Sequence, residues 1–298
     1  MDLGTNTFHL LIVEDDRTIV HEQDAVKLGE GGINKGFIIP AAFERGLQTM
    51  QLFGKLLVDN HVSEARAIAT SALRNASNGK AFINDVKEKT GIAIEIIDGE
   101  QEAALIYEGI KAAGCLTAKN SIIVDIGGGS VEFIICNDRN IFWKQSFEIG
   151  AARLMDKFHR IDPIPPDSIN ALSLYLDDCL QPLFAAAKKH PVKNLIGSSG
   201  VFESYAEVIE RSKGNSFDLK KTKQYAFNLP ELLELIEKII LSSHQQRVIT
   251  AGIIPVRIDM IVTASLLTRF IMEKLAITDV TMSTYSLKEG VLAMMKMA

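Results

Sequence analysis

The distribution of apolar residues near the start of the chain predicts a β-hairpin followed by a helix. Residues 7–13 (TFHLLIV) form an apolar run, and the polar residues 15–17 after it are typical of a turn into a second strand. From Phe43 to Leu57 apolar side chains recur at helical spacing, soon after Pro40, and proline is favoured in the first turn of a helix. The opening is therefore predicted to be strand, strand, helix.

Short apolar segments and polar turns alternate over the next part of the chain. The predicted elements are a strand at residues 66–70, a polar turn at 74–79, a helix at 80–89 that Gly91 can end, a strand at 92–97 and a helix at 101–113. This alternation of strands and helices is typical of an α/β fold.

The pattern then begins again, with an aspartate at a strand end, a glycine-containing turn and another strand. Three strands are predicted at residues 121–126, 131–136 and 141–147, then a helix at 167–189 with a bend at Pro182, a strand at 193–196 and, after mainly helical sequence, a strand at 279–282. This repetition predicts an internal duplication, with two similar α/β domains at residues 1–115 and 116–298.

Length and composition suit two globular domains in a cytoplasmic protein. The 298 residues are 47% hydrophobic, and the three cysteines are far apart and match no metal-ligand spacing. The net charge of −5 gives no general attraction to nucleic acid or to an anionic membrane. The most apolar stretch, residues 252–267, contains Arg257 and Asp259 and is a poor candidate for a membrane span.

Three segments place small and hydroxyl residues where an apolar strand ends. Glycine lets a backbone approach a ligand and turn its N–H groups towards phosphate oxygens, so we interpret these segments as phosphate-binding loops, with tight hairpin turns as the alternative. They lack the features of P-loops and of dinucleotide-binding fingerprints. The candidate phosphate-binding residues are Gly4, Thr5, Asn6, Thr7, Gly127, Gly128, Gly129, Ser130, Gly197, Ser198, Ser199 and Gly200.

Carboxylates next to two of these loops are candidate ligands of a divalent cation. Asp125 ends a strand directly before the glycines, where it could hold a hydrated Mg²⁺, and Asp2 heads the first loop in the same way. Glu132 lies seven residues after Asp125 on the same hairpin, but its spacing alone leaves open whether it faces the same site or the solvent.

Five motifs together resemble those of the exopolyphosphatase and guanosine pentaphosphate phosphohydrolase (Ppx/GppA) family in order and spacing. They are residues 2–6 (DLGTN), 69–74 (ATSALR), 96–103 (IIDGEQEA), 124–132 (VDIGGGSVE) and 288–292 (KEGVL). The resemblance implies an actin-like ATPase fold of two ribonuclease-H-like domains with mixed sheets flanked by helices, and an active site in the interdomain cleft. It also implies Mg²⁺-dependent release of orthophosphate, in the short family form without an added C-terminal helical domain.

The resemblance also implies roles for individual residues. Glu102 matches the catalytic glutamate that prepares the attacking water, and Arg74 matches the phosphate-binding arginine, with Ser71 in the same motif also a candidate phosphate ligand. Asp125 and Glu132 match the acids near the metal. Hydrolysis of a phosphoanhydride needs a positioned water, an acceptor for its proton and positive charge on the phosphoryl group, which these residues and Mg²⁺ would supply.

The sequence departs from the family pattern at several positions. Gln101 stands where a glutamate is frequent, Val201 replaces a threonine of the third loop, and Lys288 replaces an arginine. We therefore expect one carboxylate and one hydroxyl fewer at the site. The family also has an apolar strand before Asp2, so we expect the natural chain to begin upstream of Met1.

Several functions remain open at the level of the sequence. The first expectation is exopolyphosphatase activity on inorganic polyphosphate, and the nearest alternative is the hydrolysis of guanosine pentaphosphate. A sugar or acetate kinase of the same superfamily is disfavoured by the motif around Glu102, and a sensor that binds polyphosphate or an alarmone without turnover is a further alternative. Neither nucleic acid nor a membrane is an expected partner, and a homodimer is compatible with the family.

Overall fold

The structure is a computed structural model that describes residues 1–15 and 17–296. Asp16, in the predicted turn at residues 15–17, lies outside the described residues, as do Met297 and Ala298 of the predicted second domain. The strands are β1 Asp2–Leu3, β2 Phe8–Glu14, β3 Arg17–Asp24, β4 Ala67–Ala69, β5 Ile94–Ile96, β6 Ser121–Ile126, β7 Val131–Cys136, β8 Ile141–Phe147, β9 Asn194–Ser198, β10 Gln224–Ala226 and β11 Asp279–Ser283.

Twelve helices lie between and after these strands in the described part of the chain. They are α1 Pro40–Asp59, α2 Ser71–Asn75, α3 Gly79–Thr90, α4 Gly99–Ala112, α5 Ala151–Phe158, α6 Pro166–Cys179, α7 Gln181–Lys189, α8 Gly200–Ser212, α9 Leu229–Leu241, α10 His244–Ile249, α11 Met260–Lys274 and α12 Leu287–Met295. None of these helices combines the length and the apolar character needed to cross a bilayer.

The chain divides into two compact units, Met1–Glu102 and Ala103–Ala298. The division falls inside α4, after its first turn, whereas the sequence pattern placed a boundary after residue 115, beyond the end of the same helix. The predicted boundary at residue 115 stays a prediction.

Unit 1 is built on a five-stranded mixed sheet in the order β3-β2-β1-β4-β5. The first three strands pair antiparallel, and β1, β4 and β5 pair parallel. Although β1 has only two residues, Asp2 pairs with His9 on one side and with Ile68 on the other. The neighbouring Leu3 is fully buried, so β1 anchors the centre of this sheet in the core.

Unit 2 repeats this arrangement with one additional strand. Its order β10-β11-β9-β6-β7-β8 contains β8-β7-β6-β9-β11, which follows β3-β2-β1-β4-β5 strand by strand and with the same directions. β10 adds an antiparallel edge next to β11. The internal duplication and the mixed sheets are therefore confirmed.

Three local predictions differ from the structure. Arg74 lies in the last turn of α2 rather than in a polar turn, because residues 71–75 close a short helix before the turn begins. The predicted helix at residues 167–189 is two helices separated at Leu180, since Pro182 occupies the first turn of α7, where its missing N–H costs nothing. The short edge strand β10 was not predicted.

Candidate active site

Four polar side chains form a row across four neighbouring strands of unit 2. In register, Ser198 of β9 pairs with Asp125 of β6, Asp125 pairs with Glu132 of β7, and Glu132 pairs with Ser146 of β8. Residues directly opposite each other in a sheet project from the same face. Glu132 therefore faces the same side as Asp125, which settles the question that its spacing left open.

Both carboxylates of this row are buried and hydrogen-bonded by serine hydroxyls. Asp125 is 6% exposed and Glu132 is 1% exposed. Ser146 Oγ donates to Glu132 Oε1 at 2.6 Å, and Asp125 Oδ2 accepts from Ser198 Oγ and, at 2.5 Å, from Ser286 Oγ. Burial raises the pKa of Asp125 above the ordinary aspartate value, although hydrogen bonds from the hydroxyls of Ser198, Ser286 and Ser199 and the charge of Lys288 act to lower it.

The donor set of this row fits a hard divalent cation. Two adjacent carboxylates in a buried site repel each other unless a proton or a cation lies between them. Among the described residues no group of three or more histidine, cysteine or acidic side chains is arranged to hold a metal ion. A pair of carboxylates matches Mg²⁺, which is usually bound through one or two carboxylates, waters and substrate phosphates. Asp125 and Glu132 are the residues that would hold it.

The glycine loop after β6 is held from one side by the start of α5. Ala151 N donates to Gly127 O at 2.9 Å, Ala152 N donates to Gly128 O at 3.0 Å, and Gly150 N donates to Gly129 O at 3.2 Å. These bonds also occupy N–H groups that a helix start leaves without an intrahelical partner. The approach is so close that a Cβ on Gly150 would lie 2.4 Å from the carbonyl of Gly128.

This anchoring determines where the N–H groups of the same loop point. In a planar trans peptide the C=O of one residue and the N–H of the next point in opposite directions. Because three consecutive carbonyls are directed at α5, the N–H groups of Gly128, Gly129 and Ser130 are directed to the other side of the loop. Successive N–H groups of this kind form a concave site for an anion.

The first loop of unit 1 has the same construction. Gly29 N donates to Thr5 O at 3.0 Å and Lys27 N donates to Asn6 O at 2.8 Å, so the N–H groups of Asn6 and Thr7 are directed away from that segment. A Cβ on Gly4 would lie 3.0 Å from Thr7 O, and a Cβ on Gly127 would lie 3.0 Å from Ser130 O. The two loops are therefore structural repeats.

Glu102 forms an ion pair with Arg74 in unit 1. Arg74 Nη1 donates to Glu102 Oε2 at 3.0 Å and to the carbonyl oxygen of Ile97 at 3.1 Å. The side chains of Glu102 and Arg74 are 8% and 17% exposed. Glu102 lies in the first turn of α4, where the helix dipole favours a negative charge.

Gln101 stabilises the start of α4. Gln101 N donates to Asp98 Oδ1 at 2.8 Å, and Asp98 N donates to Gln101 Oε1 at 3.0 Å, which is the reciprocal arrangement of a capping box. Glutamate and glutamine are equally able to accept this bond. The side chain at this position serves as a helix cap in the structure, and the expectation that the site has one carboxylate fewer stays a prediction.

The third loop supports Asp125 through its hydroxyls and packs closely through its glycines. Ser199 Oγ donates to Ile126 O at 2.9 Å, and Ser198 Oγ is the donor to Asp125 already described. A Cβ on Gly197 would lie 2.3 Å from the ring of Phe202, and one on Gly200 would lie 2.3 Å from Arg257. Whether this loop also binds phosphate stays a prediction.

Val201 and Ser71 have local packing roles in the structure. Val201, at the expected threonine position, is 6% exposed and belongs to the core of unit 2. Ser71 is buried and accepts a hydrogen bond from Asn75 Nδ2 at 3.3 Å. The assignment of Ser71 to phosphate, like that of Asp2 to a metal, stays a prediction.

Three residues of these clusters were not identified from the sequence. Ser146 is recognisable only from the strand register and Gly150 only from its contact with the glycine loop. Ser286 stands two residues before the motif at residues 288–292, and this proximity was the one signal in the sequence that could have drawn attention to it.

Comparison with known proteins shows the family and the fold. The sequence matches the Ppx/GppA phosphatase family over residues 12–297. The chain is similar to an exopolyphosphatase from Cytophaga hutchinsonii, with 42% identity, a TM-score of 0.95 and coverage of 99% of this chain and 96% of the other. It shares its fold with the Aquifex aeolicus family member, with 22% identity, a TM-score of 0.81 and the same two coverages. The duplicated units have the actin-like ATPase fold, and the chain belongs to the Ppx/GppA phosphatase family.

Proposed function

We propose that this protein hydrolyses the terminal phosphoanhydride bond of inorganic polyphosphate in the presence of Mg²⁺ and releases orthophosphate. The observation that carries the proposal is the buried Glu102 carboxylate, held by Arg74 at the start of α4. The 42% identity to an exopolyphosphatase supports the choice of substrate. The reaction requires in-line attack by water on a phosphorus atom whose oxygens are held and neutralised.

Glu102 acts as the acceptor of the proton that the attacking water loses. One of its oxygens, Oε2, receives the hydrogen bond from Arg74, which fixes the orientation of the carboxylate. A general base must be within hydrogen-bond reach of the proton it removes, so this orientation determines where the water is activated. The planar guanidinium of Arg74 has five N–H donors, and it stabilises negative charge on the transferring phosphoryl group while it holds Glu102.

The backbone loops provide neutral donors for the phosphate oxygens. The N–H groups of Gly128, Gly129 and Ser130 are oriented before any substrate arrives, because their carbonyl neighbours are hydrogen-bonded to α5. Donors that need no reorganisation stabilise developing charge more effectively than water does. Mg²⁺ bound by Asp125 and Glu132 would add positive charge next to the same phosphates.

The proposal is tested by giving the purified protein long-chain polyphosphate, guanosine pentaphosphate and ATP in parallel, each with Mg²⁺ and with EDTA. We expect Mg²⁺-dependent release of orthophosphate from polyphosphate at a higher kcat/KM than from either nucleotide. A higher kcat/KM for guanosine pentaphosphate than for polyphosphate would contradict the proposed substrate and assign the nucleotide in its place. Tight binding of polyphosphate in calorimetry without phosphate release would contradict the catalytic proposal and support a sensor.

A further inference from the structure

Two hydroxyl groups converge on one oxygen of Asp125. Ser198 Oγ and Ser286 Oγ both donate to Oδ2, and the two hydroxyl oxygens lie 3.5 Å apart. A serine hydroxyl has a single proton, so each serine uses its proton for this carboxylate. Ser199 also contributes a side-chain hydrogen bond to this carboxylate, so several hydroxyls hold Asp125 in one orientation.

Ser198 and Ser286 reach Asp125 from different parts of the fold. Ser198 is the register partner of Asp125 in the adjacent strand, so its contact follows from strand pairing. Ser286 is 161 residues from Asp125 in sequence and stands immediately before α12. Sheet geometry alone does not produce this second contact, and it depends on how α12 begins.

The backbone of Ser286 is fixed by α12 itself and by α4. Ser286 N donates to Glu289 Oε2 at 2.9 Å, and Ser286 O accepts from Gly290 N at 3.1 Å. A Cβ on Gly109 of α4 would lie 2.1 Å from Ser286 O, and a Cβ on Gly290 would lie 1.8 Å from Leu105 O. The two helices are thus in backbone contact where α12 starts, and the Ser286 hydroxyl has little freedom to move.

We propose that Ser286 is a positioning residue for the divalent cation: its hydroxyl fixes the orientation of the Asp125 carboxylate that would hold the metal. The inference rests on the proposed function, in which Asp125 binds Mg²⁺. Groups that hydrogen-bond a metal-binding carboxylate orient it, and their removal typically costs about 10- to 100-fold in metal affinity or activity. Ser286 is therefore expected to matter for the metal and for kcat more than for substrate binding.

The test compares the wild type with Ser286→Ala, Ser286→Gly and Ser286→Thr. Glycine is tolerated before a helix nearly as well as serine, so Ser286→Gly removes the hydroxyl even if Ser286→Ala fails to fold. Ser286→Thr retains the hydroxyl. Ser243→Ala is the matched control, because Ser243 also caps a helix through its side chain but has its capping bonds within α10. Thermal unfolding verifies that each variant is folded.

Two readouts are needed: Mg²⁺ binding by calorimetry without substrate, and kcat and KM on polyphosphate. We expect Ser286→Ala and Ser286→Gly to weaken Mg²⁺ binding and to lower kcat by about 10- to 100-fold, with KM changing much less. Ser286→Thr should recover most of the Mg²⁺ affinity and most of kcat. Ser243→Ala should bind Mg²⁺ and turn over polyphosphate as the wild type does.

Asp125→Asn separates failure of this inference from failure of the proposed function. If Asp125→Asn abolishes Mg²⁺ binding while Ser286→Ala and Ser286→Gly bind Mg²⁺ and turn over like the wild type, the positioning role is refuted and the proposed function stands. If Asp125→Asn itself keeps wild-type Mg²⁺ binding and turnover, the metal assignment fails and the inference fails with it.

Discussion

Asp125 and Glu132 stand directly opposite each other on the antiparallel strands β6 and β7, both buried, with a serine hydroxyl bonded to each. Opposite residues in such a pair have Cβ atoms about 4.5–5.5 Å apart. Two carboxylates at this separation in a buried site are unfavourable without a counter-charge. The sheet register therefore brings the two carboxylates together beside the glycine loop, where the proposed cation would bind.

Removing one of the two carboxylates should reduce the response of the protein to Mg²⁺. We expect Glu132→Gln to gain less thermal stability from added Mg²⁺ than the wild type gains, because one of the two carboxylates that would hold the cation is lost. Differential scanning fluorimetry with and without Mg²⁺ measures this gain. Glu88→Gln, at an exposed position of α3, is the control. Equal Mg²⁺ shifts in all three proteins would argue against a cation at this pair.

A lysine at position 74 should not be able to perform the function of Arg74. Nη1 of the Arg74 guanidinium donates to both Glu102 and the carbonyl oxygen of Ile97, and the planar group carries further N–H donors in a fixed fork. An ammonium group cannot reproduce that geometry. We expect Arg74→Lys to lower kcat/KM for polyphosphate by about 10-fold or more, in line with the loss of one hydrogen bond to a charged group. Arg66→Lys, in an exposed pair with Glu95, should leave kcat/KM unchanged.

Adding one methyl group at Gly150 should disturb the glycine loop. The backbone of Gly150 has φ −58° and ψ 158°, which any residue adopts, so the cost comes from the close contact with Gly128. We expect Gly150→Ala to destabilise the protein by about 1–3 kcal/mol, as overpacking does, and to raise KM for polyphosphate.

Gly54→Ala is the matched control for this change. Gly54 lies within α1, and a Cβ added there would be an ordinary 3.4 Å from Thr90 of α3. The higher helix propensity of alanine should therefore stabilise the protein by about 0.5–1 kcal/mol. Urea unfolding and steady-state kinetics distinguish the two variants. An unchanged KM in a folded Gly150→Ala protein would mean that the loop does not hold substrate.

The strands of unit 2 could be predicted from the sequence because their boundaries are strongly marked. Residues 121–126, 131–136 and 141–147 were predicted with the observed bounds, since each is an apolar run that ends at glycine, asparagine or another polar turn. The motifs likewise drew attention to Glu102, Arg74 and Asp125, which the structure places in buried hydrogen-bonded clusters, while their catalytic roles stay predictions.

Long-range contacts could not be predicted in the same way. The face of Glu132 depends on the register with Asp125, which spacing along a hairpin does not fix when the turn length is uncertain. The contact of Ser286 with Asp125 joins residues 161 positions apart, and it follows from the packing of α12 against α4 rather than from local pattern. The capping bonds between Gln101 and Asp98 were likewise not predicted from the motif.

Asp162 should make the stability of unit 2 sensitive to acid. Burial acts to raise the pKa of Asp162, but hydrogen bonds from Arg247 and from the His244 backbone outweigh it, so its pKa lies below the ordinary aspartate value. A carboxyl with a depressed folded pKa stabilises the fold above its unfolded pKa, and this contribution is lost as pH falls through the folded pKa.

The stability difference between the wild type and Asp162→Asn should therefore be largest near neutral pH and narrow as the solution becomes acidic. Urea unfolding at a series of pH values measures this difference. Asp59→Asn, at an exposed position near the end of α1, serves as the control. If the difference in the free energy of unfolding between the wild type and Asp162→Asn stayed constant down to low pH, the lowered pKa of Asp162 would be contradicted.

The most direct measurement of the central claim is the rate of orthophosphate release by Glu102→Gln, compared with Glu100→Gln in the same helical turn. Glu102 is buried against Arg74 and Glu100 is exposed, so the two isosteric changes differ mainly in which carboxylate is lost. We predict that Glu102→Gln lowers kcat on polyphosphate by about 100-fold or more while it still binds polyphosphate, and that Glu100→Gln is as active as the wild type. A Glu102→Gln protein with wild-type kcat would contradict the account.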